Sequence, residues 1–145
     1  MAQTSMSAPA RPVVLFVDDE RNILEGFRDA FRREPCEVIT ALSAADALKL
    51  LETRHIDVVV SDECMPKLSG SEFLAIVHER YPGVIRIMLT GEASLSAATR
   101  AINDGLYRFL SKPIEPDELR RVVHDALRIK SATEASVRAR LAQGI

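Results

Sequence analysis

The sequence predicts an α/β fold, a doubly wound five-stranded parallel sheet with helices on both faces. Short apolar, β-branched runs alternate with stretches of helical periodicity five times along the chain. Several of those runs are followed at once by carboxylate, hydroxyl or amine residues, and open parallel sheets present their chemistry at that edge. The length, 145 residues, fits one domain with short tails and a core that needs no disulfide or metal.

Taken in order, residues 1–11 are rich in Ala, Ser, Pro and Thr and predict a disordered tail. "VVLFV" (13–17) predicts a strand buried on both faces. Ile23, Leu24, Phe27 and Phe31 then recur at helical spacing, and Pro35 ends the segment. "CEVIT" (36–40) is a second, weaker strand. Ser43 suits the N-cap of a helix that carries Ala44, Ala47, Leu48 and Leu51 on one face. "DVVVS" (57–61) is the third strand, and the helix after Gly70 carries Phe73, Leu74 and Val77 until "YPG" (81–83). "VIRIML" (84–89) is the fourth strand. A fourth helix is expected from Ser94 to about Asn103, with Gly105 at its end. "YRFL" (107–110) is the fifth strand. The last helix starts near Pro116, with Asp117 and Glu118 in its first turn and Leu119, Val122, Val123, Ala126 and Leu127 on its apolar face.

Composition excludes several classes of function. The chain is 47% apolar and 28% charged with a net charge of −2, which argues against a basic nucleic-acid surface. No apolar run is long enough to span a bilayer, and the N-terminus lacks the apolar stretch of a signal peptide. Cys36 and Cys64 have no CxxC spacing, which fits reduced thiols in a cytoplasm.

The predicted strand ends bring together Asp18, Asp19 and Glu20 after the first strand, Asp62 after the third, Thr90 and Gly91 after the fourth, and Ser111, Lys112 and Pro113 after the fifth. Each has a plain structural reading: acids before a helix favour its dipole, and Thr-Gly and Lys-Pro are common turns. Together they describe one pocket. Converging carboxylates repel unless a cation joins them, and a hard divalent ion such as Mg²⁺ prefers oxygen ligands. A hydroxyl at Thr90 and an ammonium at Lys112 suit a phosphoryl group. Asp62, alone on the central strand, is the candidate to form an acyl phosphate, with Asp18 and Asp19 suited to holding the ion.

Four segments, "VLFVDDE", "VVVSDECMPKLSG", "IRIMLTGEA" and "YRFLSKPIEPDEL", resemble the receiver (phosphoacceptor) domain of bacterial two-component response regulators, over residues 12–130. The resemblance implies a flavodoxin-like (βα)5 receiver fold. It implies that Asp62 is the phosphoacceptor, that Asp19 and Asp62 bind Mg²⁺ (or Mn²⁺) directly with the backbone carbonyl of Cys64, and that Asp18 holds the ion through water. Thr90 and Phe109 match the switch positions, Lys112 the lysine that pairs with the phosphoryl group, and the bond before Pro113 a cis peptide. The Cys64 side chain stands where family members vary and where phosphoryl lifetime is influenced.

The expected partners are a sensor histidine kinase or phosphotransfer protein and a downstream protein or fused output domain. The switching surface would be the face of the fourth helix, fifth strand and fifth helix, and a phosphorylation-dependent dimer is a further expectation. No direct nucleic-acid or membrane binding is expected, and the location would be cytoplasmic. After Leu127, Ile129, Thr133, Val137 and Leu141 keep a loose helical spacing, and residues 131–145 read as a helical extension or the start of a linker to an output domain. Two alternatives remain: a docking-only pseudo-receiver, which would lack one of the acids, Thr90 or Lys112, and an aspartate-nucleophile phosphohydrolase, which would place DxD after the first strand.

Overall fold

The computed structural model describes residues 11–91, 105 and 107–143. The helix expected from Ser94 to about Asn103 and the N-terminal ten residues lie outside the described residues. The elements are β1 (Val13–Val17), α1 (Arg21–Ala30), β2 (Glu37–Ala41), α2 (Ala44–Thr53), β3 (Val58–Asp62), α3 (Gly70–Arg80), β4 (Ile85–Thr90), β5 (Arg108–Ser111) and α4 (Pro116–Ala142). The five strands form one parallel sheet in the order β2-β1-β3-β4-β5, so the order reverses at β1 and β3.

Side-chain alternation splits the core into two layers. Leu15, Val17, Val59 and Met88 face α2 and α3, meeting Ala47, Leu51, Phe73, Leu74 and Val77. Val14, Phe16, Val60, Ile87, Leu89 and Leu110 face α1 and α4, meeting Leu24, Leu119, Val122, Val123 and Ala126. Phe16 stacks at tilted angles on Phe27 and Phe31, with ring centroids 4.8 and 5.3 Å away. Burial on both faces makes β1 and β3 apolar almost throughout, whereas the edge strand β2 is half-buried over Glu37–Thr40, which explains its weaker signal.

Four strands start one residue later than their apolar runs suggest, and β3, β4 and β5 continue into Asp62, Thr90 and Ser111. Backbone pairing is indifferent to side-chain polarity, so the ladder runs on after the apolar pattern stops. Asp62 is aligned with Leu89 and Thr90 with Ser111. Asp62 and Thr90 are therefore the last members of their strands, whereas Asp18, Asp19 and Lys112 are the first residues beyond theirs.

Caps explain the helix starts. Ser43 accepts from Asp46 N, and Ser69 and Glu72 form a reciprocal capping box at α3. Arg86, inside an apolar run, is buried and donates to the Leu74 carbonyl of α3. Helix α4 is one continuous helix of 27 residues, and its buried residues end at Ala126. It is tied to the amino edge of the sheet where Lys130 approaches Asp57 at 3.7 Å; Asp57 also accepts from Val13 N and pairs with His55. Near its middle His124 pairs with Glu34, and Arg120 donates to the Ala30 carbonyl. Residues 131–143 are exposed, including Val137 and Leu141. No helix of the described residues is long and apolar enough to cross a membrane.

Gly70 is required by contact. A Cβ there would lie 2.2 Å from the Asp62 carbonyl oxygen and 2.8 Å from Glu63 Cα, both backbone atoms. Gly70→Ala is expected to lower the free energy of unfolding by about 1–3 kcal/mol, as overpacking against backbone does. Denaturant titration checks this, and an unchanged midpoint would contradict the contact.

Candidate functional site

The site lies at the carboxyl edge, where β1 and β3 part. Parallel pairing of the two strands brings Asp18, just past β1, beside Asp62, the last residue of β3. Both are buried, at 1% and 5% exposure, while Asp19 is exposed. Asp18, Asp19 and Asp62 each place a carboxylate oxygen within 4.8 Å of the others. The ladder extends past the strands through Asp18 N donating to Ala41 O, Glu63 N to Leu89 O and Lys112 N to Thr90 O, which fixes the backbone under all these side chains.

Lys112 arrives from β5. Its Nζ is 2.7 Å from Asp62 Oδ1 and 3.6 Å from Asp18 Oδ2. The Lys112–Pro113 peptide is cis. Burial pulls the Lys112 pKa down, but its hydrogen bond to Asp62 and the charges of Asp62 and Asp18 outweigh this and hold it above the ordinary value. Burial, reinforced by the charges of Asp62 and Asp19, raises the Asp18 carboxyl against the opposing hydrogen bond from Glu20 N and the charge of Lys112.

The dipole-cap reading of "DDE" accounts for little. Glu20 is the N-cap of α1 and makes no side-chain cap bond. Asp18 Oδ1 accepts from Glu20 N, and Asp18 Oδ2 is buried with no hydrogen-bond partner among the described residues, Lys112 Nζ lying 3.6 Å away. Native structures rarely leave a buried carboxylate oxygen unmatched. Three carboxylates face one ammonium here, and a divalent cation would answer both the orphan oxygen and the excess charge. The residues fit such an ion.

Thr90, 1% exposed, is the last residue of β4, and its hydroxyl has no hydrogen-bond partner among the described residues. Phe109 lies on β5 opposite Met88, half-buried against the layer that contains α2 and α3. Cys64 is exposed two residues beyond Asp62. The edge thus gathers Asp18, Asp19, Asp62, Thr90 and Lys112, with Cys64 and Phe109 at its margins. Glu63 was missed from the sequence. Its carboxylate accepts from Ser71 N and Ser71 Oγ at the start of α3, and no local pattern marks a bond across eight residues. Beside Lys112, a groove of about 580 Å³ runs between α1 and the start of α4, lined by Ile23, Phe27, Pro113, Ile114 and Leu119.

Two stability measurements follow. Because the folded protein raises the Asp18 pKa, the bound proton stabilises it. That contribution is complete below the ordinary carboxylate value of 3.8 and is lost as pH rises through the raised value. In chelator, Asp18→Asn is expected to melt a few degrees above wild type at neutral pH, with the gap closing towards acid. A gap that stays constant with pH would contradict this origin. Thr90→Val removes a buried hydroxyl that has no partner among the described residues and is expected to stabilise the protein by about 1 kcal/mol in denaturant titration; a loss of that size would mean the hydroxyl is satisfied.

The sequence model described as response regulator receiver domain matches residues 14–124. The chain is 33% identical over 114 residues to the transcriptional regulatory protein GlrR of Escherichia coli (strain K12), covering 79% of this chain and 26% of that protein. It is 32% identical over 134 residues to the response regulator protein PilR of Pseudomonas aeruginosa, covering 91% and 30%. It therefore spans less than a third of either relative. Its fold is similar to the signal receiver domain of an HD domain-containing protein from Pseudomonas fluorescens Pf-5, with a TM-score of 0.81, 36% identity and coverage of 85% of this chain and 99% of that one. A CheY-like response regulator receiver domain protein from Methanospirillum hungatei JF-1 gives a TM-score of 0.81 at 28% identity, covering 86% and 99%. With the family model covering most of the chain, the chain belongs to the response regulator receiver domain family.

Proposed function

We propose that this receiver is a phosphoacceptor switch in which Asp62 takes a phosphoryl group from the phosphohistidine of a sensor histidine kinase or phosphotransfer protein. The observation that carries the reading is the Asp18, Asp19 and Asp62 cluster closed by Lys112, 2.7 Å from Asp62. An Asp62 carboxylate oxygen attacks phosphorus, the phosphorus–nitrogen bond breaks, and the electron pair stays on the departing imidazole. Asp18, Asp19, Asp62 and the Cys64 carbonyl are the residues that would hold Mg²⁺ (or Mn²⁺). When bound, the ion supplies charge neutralisation for the transferring oxygens. Lys112 offers a cation to the same oxygens, and Thr90 a hydroxyl donor with no hydrogen bond to another described residue.

Phosphorylation then draws Thr90 towards the phosphoryl group and lets Phe109 turn inward, which reshapes the surface around β5 and the adjoining helices. The driving force is a local change of charge that shifts an existing equilibrium. The groove beside Lys112 supports docking of the donor protein, because it sets apolar side chains next to the reactive edge. Receiver domains are signalling domains, and the chemistry proposed for this one is limited to its own phosphorylation and dephosphorylation, in the cytoplasm. A downstream protein or a fused output domain would read the switched face, and α4 beyond Lys130 would lead towards it or towards a second copy. A docking-only role is disfavoured because no acid, Thr90 or Lys112 is missing. A phosphohydrolase role is disfavoured because Asp18 and Asp19 are adjacent and Asp62 belongs to β3.

Incubation with a small-molecule phosphodonor and Mg²⁺ is expected to add one phosphoryl group to the protein and none to Asp62→Asn, as read by intact mass. Equal labelling of the two proteins, or none of wild type, would overturn the reading.

A further inference from the structure

Glu63 stands between Asp62 and Cys64 and is held from two sides. Its N–H donates to the Leu89 carbonyl at 2.9 Å, which continues the pairing of β3 with β4. Its carbonyl accepts from Gly70 N at 2.9 Å, and its Oε1 accepts from Ser71 N at 2.7 Å and Ser71 Oγ at 2.6 Å. Gly70 and Ser71 are the first two residues of α3, so Glu63 satisfies two of the N–H groups that a helix start leaves unpaired, and Ser69 satisfies the third through Glu72 N. Short bonds to a carboxylate are among the stronger ones, and this carboxylate also lies at the positive end of the helix dipole. The turn leaving Asp62 is thus bonded to β4 on one side and to α3 on the other.

We infer that Glu63 is a positioning residue for the metal-dependent step, through its clamp on Ser71. It holds the turn between Asp62 and Cys64 so that one ligand carboxylate and one ligand carbonyl keep a fixed spacing. The inference rests on the phosphoacceptor reading and deepens it. A carbonyl ligand has no side-chain rotamer to adjust, so the backbone path alone sets its position, and partners that orient ligands commonly govern metal affinity. The rival explanation, a helix cap with no bearing on the site, would alter stability and leave ion binding untouched.

Calorimetric titration with MgCl₂ at constant ionic strength, without phosphodonor, separates the two. Glu63→Ala is expected to bind Mg²⁺ about tenfold more weakly than wild type, within the range typical of lost outer-shell partners. Glu63→Gln keeps an acceptor oxygen for Ser71 and is expected to stay within about twofold of wild type. Ser71→Ala keeps the helix N–H donor, removes only the hydroxyl bond, and is expected to fall between them; it carries the test should Glu63→Ala fail to fold. Wild-type affinity in folded Glu63→Ala, or in Ser71→Ala alone if Glu63→Ala does not fold, would overturn the inference. So would Glu63→Gln as weak as Glu63→Ala, because charge rather than the clamp would then be responsible. Failure of wild type to bind Mg²⁺ at all would overturn the phosphoacceptor reading as well.

Discussion

Repulsion among the carboxylates of Asp18, Asp19 and Asp62, held within 4.8 Å of one another, is the constraint on which the rest of the structure depends. Free in water such groups would separate. Here they cannot, because two of them belong to the backbone of adjacent parallel strands whose side chains below are wholly buried. Core packing supplies the rigidity that like charges oppose. Burial first, and then the charges of Asp62 and Asp19, raise the Asp18 pKa, and Asp18 Oδ2 has no hydrogen bond among the described residues, only Lys112 at 3.6 Å. Lys112 relieves part of the repulsion, and its pKa rises in consequence. A site that is incompletely neutralised at rest is one whose stability and shape respond to an arriving cation or phosphoryl group.

The surrounding elements convert that local sensitivity into a directed one. Asp62 ends β3, Thr90 ends β4, and Lys112 follows β5, so the groups around the phosphoacceptor candidate come from three separate strands. The turn after Asp62 is joined to α3 through Glu63, and Gly70 lets the helix start in contact with the Asp62 carbonyl. Helix α4 begins near Lys112 and Pro113, is fixed to the end of α1 through Arg120 and to the turn after it through His124, and is fixed to the far edge through Lys130. It therefore runs along the full height of the sheet, from the reactive edge to the opposite one, before its exposed final turns.

Much of the fold was legible from the chain because the signals are local. Valine and isoleucine runs, Ser43 as a cap, and Pro116 at a helix start act within a few residues of themselves. Strand ends were displaced by one residue because hydrophobicity reports burial while pairing is set by the neighbouring strand. Arg86 was hidden in an apolar run, since its acceptor, the Leu74 carbonyl, belongs to another element. The Ser69–Glu72 capping box lies just before the Phe73, Leu74 and Val77 face and has a sequence signature, a serine followed three residues later by a glutamate.

The sequence by itself determined the alternation of strands and helices, the parallel sheet it requires, and the identity of Asp18, Asp19, Asp62, Thr90 and Lys112 as groups available at one edge. These follow from periodicity and from the rule that parallel sheets present chemistry at their carboxyl ends. Tertiary structure alone decided how close those groups come, which of them are buried, and which oxygens lack partners. It also decided that Glu63 bonds to Ser71 and that Gly70 meets the Asp62 carbonyl. The physical reason is range. Propensity and patterning act over one or two turns of chain, whereas pKa, desolvation and a clamp between a strand end and a helix start depend on distances that exist only once the sheet and its two helical layers have closed around one another.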